Sequence, residues 1–294
     1  MKKLVLAASL FMAFCFYNCK DNTVERQEKS LEEKVKRKYE KAQDYTYTNW
    51  VLKSSDSVRK IFKEKFTSKQ LTTIVALNRV DKNTFVNVDT LLIPDQFDDD
   101  FLAYSPFPYS LSNAKDIKKL AIFSYEIQAY GLYENGELIK WGPSSMGSEK
   151  NKTPEGLYFT NWKGEETVST FDDEWVLRWN FNLDNEQGIA WHQYSLPGYP
   201  ASHSCLRLLE EDAKWMFDWA DEWILQDEQN IKAKGTPVIV YGSYDFKGRR
   251  PWLNLAKDSH ANDIKQSDLN GIVSKYQAEI LKEQNNRNTV ESTN

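Results

Sequence analysis

The chain has 294 residues, a formal net charge of −5 and a hydrophobic fraction of 40%, enough to bury a core in one generous domain or two modest ones. The charge balance excludes nucleic acid as a partner, because phosphate binding needs a concentrated basic face and the one basic run, Lys34 to Lys41, is interleaved with Glu. Ten Trp, fifteen Tyr and fifteen Phe suit a core, and equally a cleft for an extended, partly polar ligand such as a glycan or a peptide.

Residues 1–19 read as an export signal of the lipoprotein type. Lys2 and Lys3 form a positive start, Leu4 to Tyr17 is an apolar run too short for the roughly 20 residues of a membrane span, and the chain turns polar at Lys20. Phe16-Tyr17-Asn18-Cys19 departs from the usual lipoprotein pattern, which has Leu first and a small residue before Cys. A lipid anchor at Cys19 is the favoured expectation, with simple secretion and an uncleaved anchor as alternatives; in each case the body of the protein is exported, and the periplasm is its expected place. Cys15 leaves with the signal, so Cys205 is the single cysteine of the folded part. Exported cysteines normally pair, so a solitary thiol is either buried and inert or reactive.

Residues 20–53 are rich in Glu, Lys, Arg and Gln and read as a polar tether. Residues 54–97 form a small helix-rich unit. Val58, Ile61, Phe62 and Phe66 recur at helical spacing, a second apolar cluster runs from Leu71 to Leu77, and Thr90 to Ile93 is a short strand stopped by Pro94. The stretch from Ile74 to Asp95, with its Leu77-Asn78 step and closing Leu92-Ile93-Pro94, resembles the second half of a LysM repeat, a small glycan-binding module. The first strand of such a repeat is not evident, and a helical prodomain is the alternative.

Residues 115–245 have the texture of strands. Leu120 to Phe123 and Ile127 to Tyr133 are aliphatic and aromatic, and Asn135-Gly136 supplies the positive φ of a type I′ hairpin before Leu138 to Trp141. Gly156 to Trp162, Trp175 to Phe181, Gly188 to His192 and Pro237 to Tyr241 are further strands. A helix over Glu210 to Ile224 puts Ala213, Met216, Phe217, Ala220 and Ile224 on one face. The fold class expected is α+β: a mainly antiparallel β domain with one helix after Cys205. Residues 246–294 read as a polar arm ending in a frayed helix.

The chemistry sits between His192 and Arg207. Two of the three histidines lie within thirteen residues of Cys205, and an imidazole beside a thiol can take its proton and make it a nucleophile. Pro197, Gly198 and Pro200 force a loop that lets His192 fold back towards Cys205. Zinc is the competing reading of His192, His203 and Cys205, but a structural site wants a fourth ligand, and the remaining histidine, His260, lies far along the polar arm. No metal and no cofactor are expected.

Ser202-His203-Ser204-Cys205-Leu206-Arg207 resembles the Ser-His-Gly-Cys-aliphatic-Arg signature of the YkuD-type L,D-transpeptidases, with His192 at the place of that family's upstream histidine. Gln128 to Gly136, Ser145-Met146-Gly147 with Thr153-Pro154-Glu155-Gly156, and Gly235-Thr236-Pro237-Val238 are similar to further blocks of the family, in the same order. The resemblance implies an acyl transferase of peptidoglycan stem peptides. Cys205 would form the thioester, His192 would be the base, and the Gln193 carbonyl would orient its ring. His203 would help hold the loop or the substrate. The amides of Ser204 and Cys205 would form the oxyanion hole, and Arg207, Ser202 and Tyr199 would meet the substrate, with a bracing role for Arg207 equally open. Hydrolysis by the same acyl-enzyme and a non-catalytic wall-binding role, through glycan strands, are the alternatives. Ser204 stands where the family has Gly, which matters if that position needs positive φ.

Overall fold

The computed structural model describes residues 45–52, 60–62, 64–169, 176–228 and 230–293. The expected signal with Cys15 and Cys19, most of the tether, Val58 and Trp175 lie outside them. Everything described belongs to one compact unit, Tyr45–Asn294.

The strand that the small unit's sequence did not reveal is present. β1 (Tyr47–Val51) pairs antiparallel with β2 (Thr90–Pro94), and helix α1 (Ser68–Leu77) lies between them in sequence. The unit therefore starts inside the segment read as tether, and 54 is not its boundary. Tyr47-Thr48-Asn49-Trp50 carries no clear strand signal because it mixes polar and aromatic residues: Thr48 faces out, Asn49 Nδ2 donates to Leu253 O at 3.0 Å, and Trp50 packs on a core of Phe62, Ile74, Val75, Leu91 and Ile93. Thr67 and Gln70 form a capping box that fixes the start of α1.

The larger body is built on two sheets. One has the order β5-β4-β3-β13-β6, from β3 (Leu120–Ser124), β4 (Ala129–Glu134), β5 (Glu137–Pro143), β6 (Gly156–Phe159) and β13 (Pro237–Tyr241). All its pairings are antiparallel except β3 with β13. Both its faces are buried. Ala121, Phe123, Tyr130 and Val238 point to the second sheet, whereas Leu120, Ile122, Tyr133 and Ile239 point the other way, which is why Leu120–Phe123 reads as a continuous apolar run rather than an alternation. Asn135 and Gly136 both take positive φ, 49° and 80°, in the β4–β5 turn.

The second sheet has the order β10-β9-β8-β7, from β7 (Lys163–Val168), β8 (Val176–Asp184), β9 (Ile189–Gln193) and β10 (Leu206–Leu208). β7 carries Lys163-Gly164-Glu165-Glu166 and has no strand signal of its own; pairing with β8 defines it. The strand expected over Gly156 to Trp162 ends at Phe159 for this reason, as the chain passes from one sheet to the other. Short β11 (Ile224–Leu225) and β12 (Ile231–Ala233) make a separate antiparallel pair.

Two expectations are corrected. The helix after Cys205, α2 (Glu210–Trp219), stops at Ala220 instead of continuing to Ile224. The chain is captured there by the turn before β13. The Asp221 amide donates to Thr236 Oγ1 at 2.9 Å, and the Asp221 carbonyl accepts from Thr160 Oγ1 at 2.6 Å. The polar arm is no frayed end either. α3 (Gln266–Ser292) runs 27 residues and sets Leu269, Val273 and Ile280 into the core under the first sheet. Its polar residues bond to loop backbone: Gln277 Nε2 donates to Asn113 O, Gln284 Nε2 to Asp116 O, and Arg287 Nη1 to Glu222 O and Lys234 O.

Candidate active site

The parallel pair β9–β10 creates the site. Arg207 lies opposite His192 and Leu206 opposite Trp191, so Cys205, one residue before β10, comes up beside Ala190 near the start of β9, two residues before His192. Trp191, Leu206 and Leu208 are fully buried and anchor both strands in the core. His192, His203, Cys205, Ser202, Tyr194 and Arg207 then line one narrow cavity of about 30 Å³, together with Ser169 and Leu177.

A tight turn presents the thiol. Ser202 donates its hydroxyl hydrogen bond to the Cys205 carbonyl at 2.5 Å, and Ser204 has φ of 78°. This is the left-handed conformation in which Gly is free and Ser is strained by about 1 kcal/mol. Thr153 Oγ1 donates to the Ser204 carbonyl at 2.8 Å and accepts from the Gly147 amide at 3.0 Å. The strand-like segment 145–148 straps both sides of the cysteine. Ser145 exchanges two backbone hydrogen bonds with Arg207, and Ser148 and Met146 bond to the backbone of Ser202. Thr153 was visible in the sequence as part of a motif but without a role; the geometry gives it one.

His192 is 3% exposed, and its Nδ1 lies 2.9 Å from the Gln193 carbonyl. A carbonyl oxygen can only accept, so Nδ1 carries the proton and Nε2 keeps its lone pair. Burial drives the His192 pKa down to about 4, with the Arg207 charge acting in the same direction and the Gln193 hydrogen bond opposing it. Burial pushes the Cys205 thiol up, opposed by a backbone hydrogen bond at Ala190 and the Arg207 charge. The thiol itself donates to the Gly188 carbonyl at 3.5 Å. Both shifts favour the neutral thiol and neutral imidazole over the ion pair.

The remaining candidates fall out differently. His203 lines the cavity but is exposed. Ser202, expected at the substrate, is 1% exposed and bonded to Cys205, so its position is that of a turn brace. Tyr199, also expected there, is 54% exposed and is not among the residues lining the thiol's cavity; its carbonyl accepts from Ser145 Oγ. Arg207 sits with its guanidinium 4.5 Å above the Tyr194 ring and donates to Ser195 O at 3.4 Å. Tyr194 was not singled out in the sequence. Among the described residues no group of three or more His, Cys, Asp or Glu is placed to hold a metal ion.

Fold and site together set a thiol on a strained turn into one cavity with a histidine ring held by its neighbour's carbonyl. Residues 121–240 match the model of the YkuD family, the L,D-transpeptidase catalytic domain. Similar solved structures include an L,D-transpeptidase from Mycobacterium smegmatis, 21% identical with a TM-score of 0.34, covering 42% of this chain and 59% of that one. Another is an L,D-transpeptidase from Stackebrandtia nassauensis, 19% identical, TM-score 0.35, covering 43% and 57%. A third, from Xylanimonas cellulosilytica, is 24% identical with a TM-score of 0.35 and covers 47% and 65%. The chain thus spans about three fifths of the length of such structures. No curated protein matches it.

Proposed function

We propose that the protein is a peptidoglycan L,D-transpeptidase that acts through a thioester on Cys205. The observation that carries this reading is the arrangement of His192: buried, fixed as the Nδ1–H tautomer by Gln193, and lining one cavity with the one thiol among the described residues.

Cys205 Sγ attacks the carbonyl between the third and fourth residues of a donor stem peptide, while His192 Nε2 takes the thiol proton. The amides of Ser204 and Cys205 stabilise the oxyanion. The tetrahedral intermediate collapses by breaking the peptide bond; the imidazolium gives its proton to the leaving nitrogen, and the fourth residue departs as free amino acid. An acceptor amine then attacks the thioester, His192 takes its proton, and the thiolate leaves and is reprotonated. A thiol kept neutral until substrate arrives needs this proton transfer in the attack step. Export to the periplasm with a lipid on Cys19 belongs to the same proposal, as does glycan contact by the small unit.

Incubation of the purified protein with tetrapeptide-bearing muropeptides, read by mass spectrometry, tests the reading. Cross-linked dimer with release of the fourth residue is expected. Trimming without dimer would make the acceptor water, and no turnover would overturn the proposal.

A further inference from the structure

We propose that Asp81 of the small unit is a positioning residue of the active site, holding the loop that aims Arg207 and Tyr194 at the thiol's cavity. The small unit is then a working part of the catalytic site, beyond any wall contact it makes.

Asp81 closes the turn after α1. Its Oδ1 accepts from the amides of Asn83 and Thr84, at 2.7 and 2.9 Å. Its Oδ2 accepts from the Leu196 amide at 2.9 Å and from Ser195 Oγ at 3.0 Å, more than a hundred residues away in sequence. Four donors on two oxygens leave no room for an amide in place of the carboxylate. The docking continues along the chain: the Leu196 carbonyl accepts from Thr84 Oγ1 at 2.6 Å, Val80 bridges Pro197, and the Gly198 amide donates to Arg79 O at 2.9 Å. Leu196 is fully buried, and Gly198 takes φ of 86°, where an added Cβ would lie 3.1 Å from Val80.

The receiving side is as firmly set. Arg79, 2% exposed with φ of 55°, donates through its guanidinium to Ile127 O at 3.0 Å and Leu77 O at 2.6 Å. Arg79 therefore ties the turn before Asp81 to the larger body through Ile127. The loop in turn controls the cavity. Ser195 O accepts from Arg207 Nη1, and the Arg207 guanidinium lies on the Tyr194 ring. Tyr194 and Arg207 are cavity-lining residues, with His192 and His203 as the other ionisable neighbours of Cys205. One residue thus links the helix turn of the small unit to the cation beside the thiol. A carboxylate accepting charge-assisted bonds from both strands of such a junction is worth more than its neutral isostere.

The proposal concerns thiol reactivity and rests on the transpeptidase reading only for its consequence in peptide transfer. The test is therefore alkylation of Cys205 by iodoacetamide across pH in the full chain, comparing wild type with Asp81→Asn. The variant keeps the shape and one acceptor oxygen but must set an NH₂ against the Leu196 amide or the turn amides. Releasing the loop loosens the Arg207 cation from the thiol. Alkylation at neutral pH should slow about threefold, with the profile displaced upwards by about half a pH unit, while the protein stays folded. An unchanged profile in a folded variant, even one that melts earlier, would overturn the proposal. If Asp81→Asn does not fold, Thr84→Val, which removes a single bond to the same loop, decides: the same displacement supports the proposal and its absence overturns it. Carbapenem acylation measured alongside separates the two readings, since wild type that alkylates but never acylates would remove the transpeptidase and leave the positioning intact.

Discussion

His192 is the residue on which the chemistry turns, and its burial has two measurable consequences. With Nδ1 committed to Gln193, Nε2 is the ring nitrogen that keeps a lone pair, and it is the proposed proton acceptor for Cys205. His192→Ala should lower the acylation rate about 10²–10⁴-fold, the usual cost of a positioned general base, and His203→Ala, at an exposed residue, should cost much less. Acylation kinetics with each variant check this, and a more damaging His203→Ala would exchange the two roles. The second consequence is a pH dependence of stability. The folded pKa, about 4, lies below the unfolded value of 6.5, so the unfolded chain takes up a proton first as pH falls. Stability on the order of 3 kcal/mol should be fully present above pH 6.5, drain away between 6.5 and 4, and change no further below 4. Denaturant titrations of wild type and His192→Gln across that window should show the slope flatten in the variant. At Ser204, relief of the left-handed strain should let Ser204→Gly melt at the same temperature as wild type or higher, with any gain within about 1 kcal/mol.

The elements were legible where one residue type decides the geometry. Asn135-Gly136 marked its hairpin because a type I′ turn needs two positive φ values, and the apolar run of β3 was readable because both faces of that strand are buried. β7 was not, because Gly164 to Glu166 are ordered by their partner strand, and neither was the end of α2, which a turn in a distant segment dictates. The site followed the same division. That Cys205 and His192 come to share a cavity, and that the Gln193 carbonyl holds the ring, was readable from spacing and motif. The roles of Thr153, Tyr194 and Asp81 were not, since each acts on a residue distant in sequence. α3 is the largest such case, its polar surface concealing a buried stripe. Ile280→Ala and Leu269→Ala should each cost about 2–5 kcal/mol in denaturant unfolding. A cost under 1 kcal/mol would mean that α3 lies outside the core.

On the scale of the molecule, the described residues include no helix long and apolar enough to cross a membrane, and the proposed attachment rests on Cys19 alone. Labelling of cells with a palmitate analogue should mark the wild-type chain and Cys15→Ser but not Cys19→Ser; label on none would leave secretion without an anchor. The small unit and the catalytic body share the contacts of residues 78–81 with Ile127 and residues 195–198, so a chain lacking the small unit should lose thiol reactivity along with any glycan binding.

The central claim is that Cys205 forms an acyl-enzyme. Intact-mass measurement after incubation with a carbapenem, whose strained carbonyl offers the thiol a ready electrophile, tests it most directly. One adduct per chain is predicted, carried by the peptide that contains Cys205, lost in Cys205→Ala, and formed far more slowly in His192→Ala. An adduct on another residue, or no adduct on wild type at high concentration, would contradict the account.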